Sequence, residues 1–265
     1  MITLLPDGLE MSHDEAGSGI PLLFIHGWPH NRTLWAAQMG GLIDHARCIA
    51  PDLRGFGGTS VKPPFTIDQY ADDLVRLLDT LGIAQAVACG VSMGGYIAFS
   101  MLRRHPTRLR ALILTSTRAT ADTPEGREKR ARLIGFVRDR GVEALAAKQL
   151  KAMVGATTFD TRPHTLEALR AMMAAAPVEG VTGALQAMAD RADSTDLLAG
   201  IPCPVLVVSG AEDTFTPPEE LRALAAAIPR SRLEVIESAG HVCPYERPAA
   251  FNHVAGEFLA SLLYD

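Results

Sequence analysis

Short apolar runs alternate with segments of helical hydrophobic period along most of this chain. The run Ile20–Ile25 is continuously apolar, as expected of a strand that is buried on both faces. Segments 67–81 and 96–105 carry apolar residues at helical spacing. An antiparallel hairpin is predicted around Asp7-Gly8. The alternation predicts an α/β fold, a mostly parallel sheet flanked by helices. Shorter runs repeat the strand character at 47–50, 84–89, 111–115, 205–209 and 233–236.

The strand pattern stops between residues 118 and 196. This stretch is rich in Ala, Leu, Met, Glu and Arg, and Thr123-Pro124-Glu125 has the order of an N-cap, a first-turn proline and an acid at the positive helix end. Ligands bind at the carboxyl ends of parallel strands, and this insertion leaves from one. We therefore expect a small helical cap over the site, the alternative being an enlarged crossover with no role in substrate choice. The predicted organisation is a core segment 1–117, a cap 118–196 and a second core segment 197–265.

Composition narrows the class of protein. The 265 residues are 48% hydrophobic and 21% charged, which allows a large core. The net charge of −5 is spread out without a basic run, so nucleic acid is not an expected partner. No apolar stretch is long enough to span a bilayer, and the first residues lack the pattern of a signal peptide. The four cysteines have no metal-ligand spacing, and we expect free thiols in a reducing cytoplasm, although their even number allows a disulfide.

The strongest chemical signal is Gly90-Val91-Ser92-Met93-Gly94-Gly95, between a predicted strand and a predicted helix. A serine hydroxyl is a weak nucleophile and must project clear of the backbone towards a base. A tight strand-to-helix turn achieves this, and it needs small residues two positions before and two positions after the serine. Gly90 and Gly94 meet that need. The pattern predicts Ser92 as a catalytic nucleophile.

A second signal is His26-Gly27-Trp28-Pro29, which follows the predicted strand Ile20–Ile25. Acyl transfer places negative charge on the carbonyl oxygen, and two backbone N–H groups can stabilise it. We expect one N–H from Met93, directly after the nucleophile, and the other from Trp28. We expect His26 to be a buried histidine that holds this loop, rather than the catalytic base.

The base and the acid are expected at two later strand ends. Asp213 follows the strand at 205–209, and His241 follows the strand at 233–236. Histidine exchanges a proton near neutral pH, and a carboxylate can fix its tautomer. Glu212 is a rival for the acid, but spacing favours Asp213. Next along the chain, Thr216-Pro217-Pro218-Glu219 has a capping-box pattern and predicts a helix start.

These motifs resemble those of the α/β-hydrolase superfamily along nearly the whole chain. Besides the turn at Ser92, the segment 52–60 resembles the loop after the fourth strand of that fold, and Gly210-Ala211-Glu212-Asp213 and Gly240-His241 resemble its acid and histidine positions. Within the superfamily the chain is most similar to the 3-oxoadipate enol-lactonase and carboxylesterase group. The motif His26-Gly27-Trp28-Pro29 also resembles that of the cofactor-free haloperoxidases, and Pro29 is the residue that carries this likeness. Those enzymes are esterases with a perhydrolase side activity. Relatives with an aspartate nucleophile differ, because a serine cannot form their ester intermediate.

The resemblance and the residues together imply an esterase or lactonase for small to medium acyl groups, without a metal or an organic cofactor. Perhydrolysis, carbon–carbon bond hydrolysis and non-catalytic ligand binding are the alternatives. An ester or lactone is the expected small-molecule partner, and the oligomeric state is left open. Arg118 could pair with a substrate carboxylate or form an ion pair at the cap hinge. The side chains expected to contact substrate are Trp28, Pro29, Arg118, Met153 and Tyr245.

Overall fold

A computed structural model of the protein describes residues 1–263, so the last two residues of the predicted core segment 197–265 lie outside the described residues. An eight-stranded sheet forms the centre of this part of the chain, in the order β1-β2-β4-β3-β5-β6-β7-β8. The strands are β1 Ile2–Leu4, β2 Glu10–Ala16, β3 Ile20–Ile25, β4 Ala46–Pro51, β5 Ala86–Val91, β6 Leu109–Thr115, β7 Val205–Gly210 and β8 Ser231–Ile236. Strands β1 and β2 form the predicted antiparallel hairpin, and the pairs from β4 to β8 are parallel.

Helices cover both faces of the sheet, so the central strands are apolar on both sides. Every residue of β5 and of β7 is buried, which explains their continuous apolar runs. Helix α2 begins where the Thr66 hydroxyl accepts a hydrogen bond from the Gln69 N–H. The helices are α1 Ala36–Gly41, α2 Ile67–Thr80, α3 Met93–Arg104, α4 Pro124–Met153, α5 Ala156–Thr161, α6 Pro163–Ala174, α7 Val178–Ala189, α8 Pro218–Ala226, α9 Cys243–Glu246 and α10 Pro248–Ser261.

Helices α4 to α7 occupy the chain between β6 and β7, where the sequence predicts an insertion without strands. Helix α4 begins as predicted, because the Thr123 hydroxyl accepts a hydrogen bond from the Gly126 N–H and Pro124 is in the first turn. It is broken at Gly141, whose φ of 80° lies outside the helical region. Helix α4 packs on α6 and α7, so the insertion has its own helix–helix contacts.

The order of the strands places a crevice at the carboxyl ends of β3 and β5. The chain continues from β3 to β4 on one side and then returns to β5 on the other, and such a reversal is where ligands bind in open α/β sheets. Ile25 at the end of β3 is paired with Gly90 in β5. The loops that carry Trp28 and Ser92 therefore begin side by side.

The described residues contain no helix that is both long enough and apolar enough to cross a membrane. Cys48, Cys89, Cys203 and Cys243 are all free thiols and all are buried, as the sequence predicts. Burial raises the pKa of the Cys48 thiol to about 11.

Candidate active site

Ser92 lies on a tight turn between β5 and α3. Its φ of 54° and ψ of −114° place it outside the regions that L-residues ordinarily adopt. A Cβ atom at Gly90 would lie 2.3 Å from the Gly94 carbonyl oxygen, and one at Gly94 would lie 2.2 Å from the Ile25 carbonyl oxygen. Both contacts are too short for any side chain. The two glycines are therefore required by the turn, as the sequence predicts.

Backbone hydrogen bonds hold this turn in place. The Ser92 N–H donates to the Thr115 carbonyl at 2.9 Å, and the Thr117 hydroxyl donates to the Ser92 carbonyl at 2.9 Å. A Cβ atom at Gly27 would lie 3.4 Å from the Ser92 Cβ, so the loop after β3 passes directly beside the serine. The strained conformation is thus fixed by β6 on one side and by the β3 loop on the other.

His241 and Asp213 are brought together from the ends of β8 and β7. The His241 Nδ1 atom is 2.9 Å from Asp213 Oδ2 and 3.2 Å from Oδ1. His241 is 6% exposed and Asp213 is 4% exposed, so the pair is shielded from water. Because Nδ1 donates to the carboxylate, Nε2 of the neutral ring is the nitrogen that is free to accept a proton.

The Asp213 carboxylate is surrounded by donors. Its Oδ1 atom accepts hydrogen bonds from the N–H groups of Phe215 at 2.8 Å and Thr216 at 3.0 Å. Burial opposes ionisation, but the attraction of His241 and these hydrogen bonds hold the pKa of the carboxyl below its ordinary value. Asp213 is therefore a carboxylate at neutral pH, suited to orient His241.

The rival acid Glu212 does not contact His241. Its carboxylate accepts hydrogen bonds from the Thr157 N–H at 2.8 Å and from the Thr157 hydroxyl, which ties the β7 loop to α5. The capping-box prediction at Thr216 is wrong: α8 begins at Pro218, and its N-cap is Pro217 without a side-chain hydrogen bond. The physical reason is that the N–H of Thr216 is bound to Asp213, so this residue belongs to the loop around the carboxylate.

The expected N–H donors lie on the two loops that meet at the crevice. Met93 is the first residue of α3, so its N–H has no acceptor in a preceding helical turn. Trp28 lies on the loop after β3, and its ring is fixed because Nε1 donates to the Val181 carbonyl of α7 at 3.1 Å. His26 has the structural role expected of it: Nε2 accepts from the Leu53 N–H at 3.0 Å, and Nδ1 donates to the Gly27 carbonyl at 2.9 Å.

A cavity of about 790 Å³, here called the main cavity, contains Ser92 and His241 in its wall. It lies between the strand ends and the helical insertion. Arg118, Lys129, Arg130, Arg132 and Lys148 contribute positive charges to its wall, and Asp122 and Glu125 contribute negative ones. Its apolar lining comes from Trp28, Leu133, Phe136, Met153, Leu185, Met188 and Phe215.

The residues expected to contact substrate do not all line the main cavity. Trp28, Arg118 and Met153 do, but Pro29 and Tyr245 do not. Pro29 is buried in the loop, and Tyr245 packs partly against the hydrophobic core, so contact of these two residues with substrate stays a prediction. Arg118 forms an ion pair with Glu220 at 3.2 Å and donates to the Phe215 carbonyl, as expected of the ion-pair alternative.

Glu246 is a residue that the sequence analysis missed. It is completely buried, and its two carboxylate oxygens accept hydrogen bonds from the N–H groups of Gly240 and Gly155, each at 2.8 Å. Gly240 precedes His241, and Gly155 precedes α5. One carboxylate therefore joins the histidine loop to the insertion. A contact across 91 positions leaves no local signal in the sequence.

Among residues 1–263, no group of three or more His, Cys, Asp and Glu side chains is arranged to hold a metal ion.

Comparison with known families identifies the chain. The family model described as the alpha/beta hydrolase fold matches residues 20–248. The chain therefore belongs to the α/β-hydrolase fold family, as its motifs predict.

Individual relatives agree with this assignment. A thermophilic esterase from Thermogutta terrifontis, solved with malate bound, is similar with a TM-score of 0.95 and 41% identity, covering 99% of this chain and 98% of that one. A 3-oxoadipate enol-lactonase from Acinetobacter baylyi is 33% identical over 88% of this chain and 85% of its own length. A 2-hydroxymuconate semialdehyde hydrolase from a Pseudomonas species is 31% identical over 97% of this chain and 93% of its own length.

Proposed function

We propose that this protein is a serine hydrolase that cleaves carboxylic esters or lactones of small to medium acyl groups. The observation that carries the proposal is the placement of Ser92. It lies on a strained turn in the wall of the main cavity, and that wall also contains His241, which is paired with Asp213. The similarity to an esterase and to an enol-lactonase supports the same class of reaction.

In the proposed first step Ser92 Oγ attacks the carbonyl carbon while His241 Nε2 takes the hydroxyl proton. The hydrogen bond from Nδ1 to Asp213 fixes the required tautomer and stabilises the imidazolium that forms. The N–H groups of Trp28 and Met93 stabilise the negative oxygen, and loss of one such donor typically costs about a hundredfold to a thousandfold in kcat. His241 then protonates the departing alcohol, leaving an acyl group on Ser92.

The second step reverses these roles. His241 Nε2 removes a proton from water, the resulting hydroxide equivalent attacks the acyl-enzyme carbonyl, and Ser92 recovers its proton as the acid departs. For a lactone the alcohol and the acid are parts of one product.

We further propose that residues 118–196 act as a cap that selects the substrate, on a core formed by 1–117 and 197–265. The support is that the insertion supplies much of the lining of the main cavity, including Met153. Trp28 and Met153 are the proposed apolar contacts with the substrate. Arg118 is proposed to hold the start of the insertion through its ion pair with Glu220. The free buried cysteines support the predicted cytoplasmic location.

Stopped-flow assays with p-nitrophenyl esters of increasing acyl length test the proposal. We expect a burst of nitrophenol equal to the enzyme concentration, followed by slower turnover, because the acyl-enzyme accumulates. Ser92→Ala should abolish the burst and the turnover. Ser261→Ala on α10 is the matched control and should retain both.

Absence of turnover on every ester and lactone, in a folded protein, would contradict the proposed function. Peroxide-dependent halogenation in place of ester hydrolysis would favour the perhydrolase alternative. Hydrolysis of a ring-cleavage β-diketone with poor ester turnover would favour carbon–carbon bond hydrolysis.

A further inference from the structure

A second cavity of about 310 Å³, here called the side cavity, lies beside the main cavity. It is bounded by the start of α2, by α3, by the chain after β6 and by the end of α7. Its apolar and aromatic wall is formed by Phe65, Ile67, Tyr96, Phe99, Ala119, Ala187 and Ala192. None of the proposed catalytic residues lines it.

Tyr96 and Arg118 line both cavities, so they form the wall between them. Tyr96 is four residues after Ser92 and one turn along α3. Side chains on a helix lean towards its N-terminus, which brings the Tyr96 ring over the turn that begins at Ser92. Among the residues of α3 that line the side cavity, Tyr96 is therefore the one nearest to Ser92 and to the substrate carbonyl that Ser92 attacks.

Arg191 fixes the ring from the side of the insertion. Its guanidinium carbon lies 4.1 Å from the centroid of the Tyr96 ring, a cation–π arrangement. The Arg191 side chain is only 3% exposed, and it donates to Asp122 and to the carbonyls of Met188 and Thr120 at 2.6 to 2.7 Å. With its partner held this firmly, the ring is a fixed partition.

The arginines at the side cavity are paired with carboxylates: Arg103 with Asp196 at 2.6 Å, Arg118 with Glu220 at 3.2 Å and Arg191 with Asp122 at 2.6 Å. The carboxylates of its lining belong to Asp68 and Asp190, which are both exposed residues. The apolar and aromatic wall of the side cavity therefore suits an uncharged hydrocarbon chain.

The direction of the substrate follows from the position of His241. The leaving alcohol must face His241, which protonates it. His241 and the segment 214–216 line the main cavity. None of these residues lines the side cavity, whose lining contains no residue after Ser194 in the sequence. The acyl chain, on the opposite side of the carbonyl from the leaving group, is thus the part that points towards Tyr96.

We propose that Tyr96 sets the upper length of the acyl chain, and that the side cavity is the subsite that receives longer aliphatic acyl chains once the ring is removed. This inference rests on the proposed ester hydrolysis at Ser92. It identifies Tyr96 as a specificity-determining residue, with Arg191 as the residue that positions it.

The experiment compares kcat/KM for p-nitrophenyl decanoate with kcat/KM for p-nitrophenyl butyrate. The ratio of the two cancels general damage to the site. Tyr96→Ala should raise the ratio about tenfold or more over that of the wild type, because the added methylenes become buried. Tyr96→Phe keeps the ring and should change the ratio by less than about twofold. Tyr96→Leu is the milder variant if Tyr96→Ala does not fold, and it should raise the ratio in the same direction.

A plug in the side cavity tests where the longer chain goes. Ala187 lines the side cavity and is absent from the lining of the main cavity. Ala187→Phe, added to Tyr96→Ala, should remove the gain on decanoate. A crystal structure of Tyr96→Ala with a decyl phosphonate on Ser92 should show the chain between Phe99 and Ala187. Acetate esters of alcohols of increasing length should show no gain.

The outcomes separate this inference from the proposed function. If the wild type hydrolyses butyrate through Ser92 but the ratio is unchanged in Tyr96→Ala and in Tyr96→Leu, the inference is overturned and the proposed function stands. A gain that survives the Ala187→Phe plug, or a gain with longer alcohols only, also overturns it. No Ser92-dependent ester turnover in the wild type would instead reject the proposed function.

Discussion

At the scale of single residues, the two oxygens of Asp213 differ in their partners. Oδ1 accepts from the backbone N–H groups of Phe215 and Thr216 and is 3.2 Å from His241 Nδ1, whereas Oδ2 is the nearer acceptor of His241 Nδ1, at 2.9 Å. The backbone donors fix the plane of the carboxylate, and the carboxylate fixes the imidazole. The ring of Phe215 lies 5.1 Å from that of His241, which limits rotation of the imidazole on its cavity side. The tautomer of His241 thus depends on a loop that ends before α8.

Asp213→Asn tests this dependence. The asparagine oxygen would remain with the two backbone donors, so its NH₂ group would face His241 Nδ1 and favour the tautomer with the proton on Nε2. That nitrogen could then no longer accept the Ser92 proton, and we expect kcat to fall by about three to four orders of magnitude. Glu212→Gln is the matched control and should keep kcat within about threefold, since Glu212 contacts Thr157 and not His241. Steady-state ester hydrolysis gives both values, and the reverse result would assign the acid to Glu212.

At the scale of elements, the His241 loop and the insertion are attached to each other. A Cβ atom at Gly240 would lie 2.3 Å from the Gly155 nitrogen, so the two backbones are in direct contact. Glu246 accepts the N–H of each of these glycines, and burial raises the pKa of its carboxyl above the ordinary value. Movement of the insertion at Gly155 would therefore displace Gly240, the residue before the proposed base His241.

Glu246→Gln should weaken this attachment. Both carboxylate oxygens accept from N–H groups, and a glutamine of the same shape can accept through only one of its terminal atoms. The other N–H would be left buried without an acceptor, at a cost of about 1–3 kcal/mol in the free energy of unfolding. We expect a lower kcat as well, because His241 follows Gly240.

Urea unfolding at about pH 8 and ester hydrolysis check these results. Glu257→Gln on α10, at an exposed carboxylate, is the control and should change stability by less than about 0.5 kcal/mol. An unchanged unfolding free energy in Glu246→Gln would show that the bridge is unimportant.

Several elements were predictable because their signals are local. The strand Ile20–Ile25 was predicted with the bounds it has, since a fully buried strand must be apolar throughout. The glycines around Ser92 report a turn too tight for side chains. The helix start at Thr216 was wrong because a tertiary contact with Asp213 replaced the local cap. Local rules predict an element until a distant group competes for the same backbone hydrogen bond.

At the scale of the whole molecule, the sheet order brings together loops that are far apart in sequence. Predicted strand ends were enough to expect Ser92, Asp213 and His241 at one edge, because carboxyl ends of parallel strands meet there. The wall between the two cavities was not predictable. Tyr96 and Arg191 meet only because α7 packs against the core, and their contact leaves no periodic or motif signal. The same limit applies to Pro29, whose place in a motif did not reveal that it is absent from the lining of the main cavity.

The stability of the whole fold should fall on the acid side because of a buried histidine in the β3 loop. Burial, followed by the charges of His26 and His241, lowers the pKa of His30 from 6.5 to about 3. Below pH 6.5 the unfolded chain binds a proton at this position that the folded chain does not bind, so the free energy of unfolding falls as the pH falls towards 3.

His30→Leu removes this difference in proton binding between the unfolded and the folded chain. When the pH is lowered from 6.5 to about 4.5, the free energy of unfolding of the variant should fall by on the order of 2 kcal/mol less than that of the wild type. Urea unfolding at each pH measures both values. His164→Leu, at an exposed histidine of α6, is the control and should follow the wild-type pH dependence. If His30→Leu followed that dependence too, protonation at His30 would not contribute to acid unfolding, and the buried His26 would become the next group to replace.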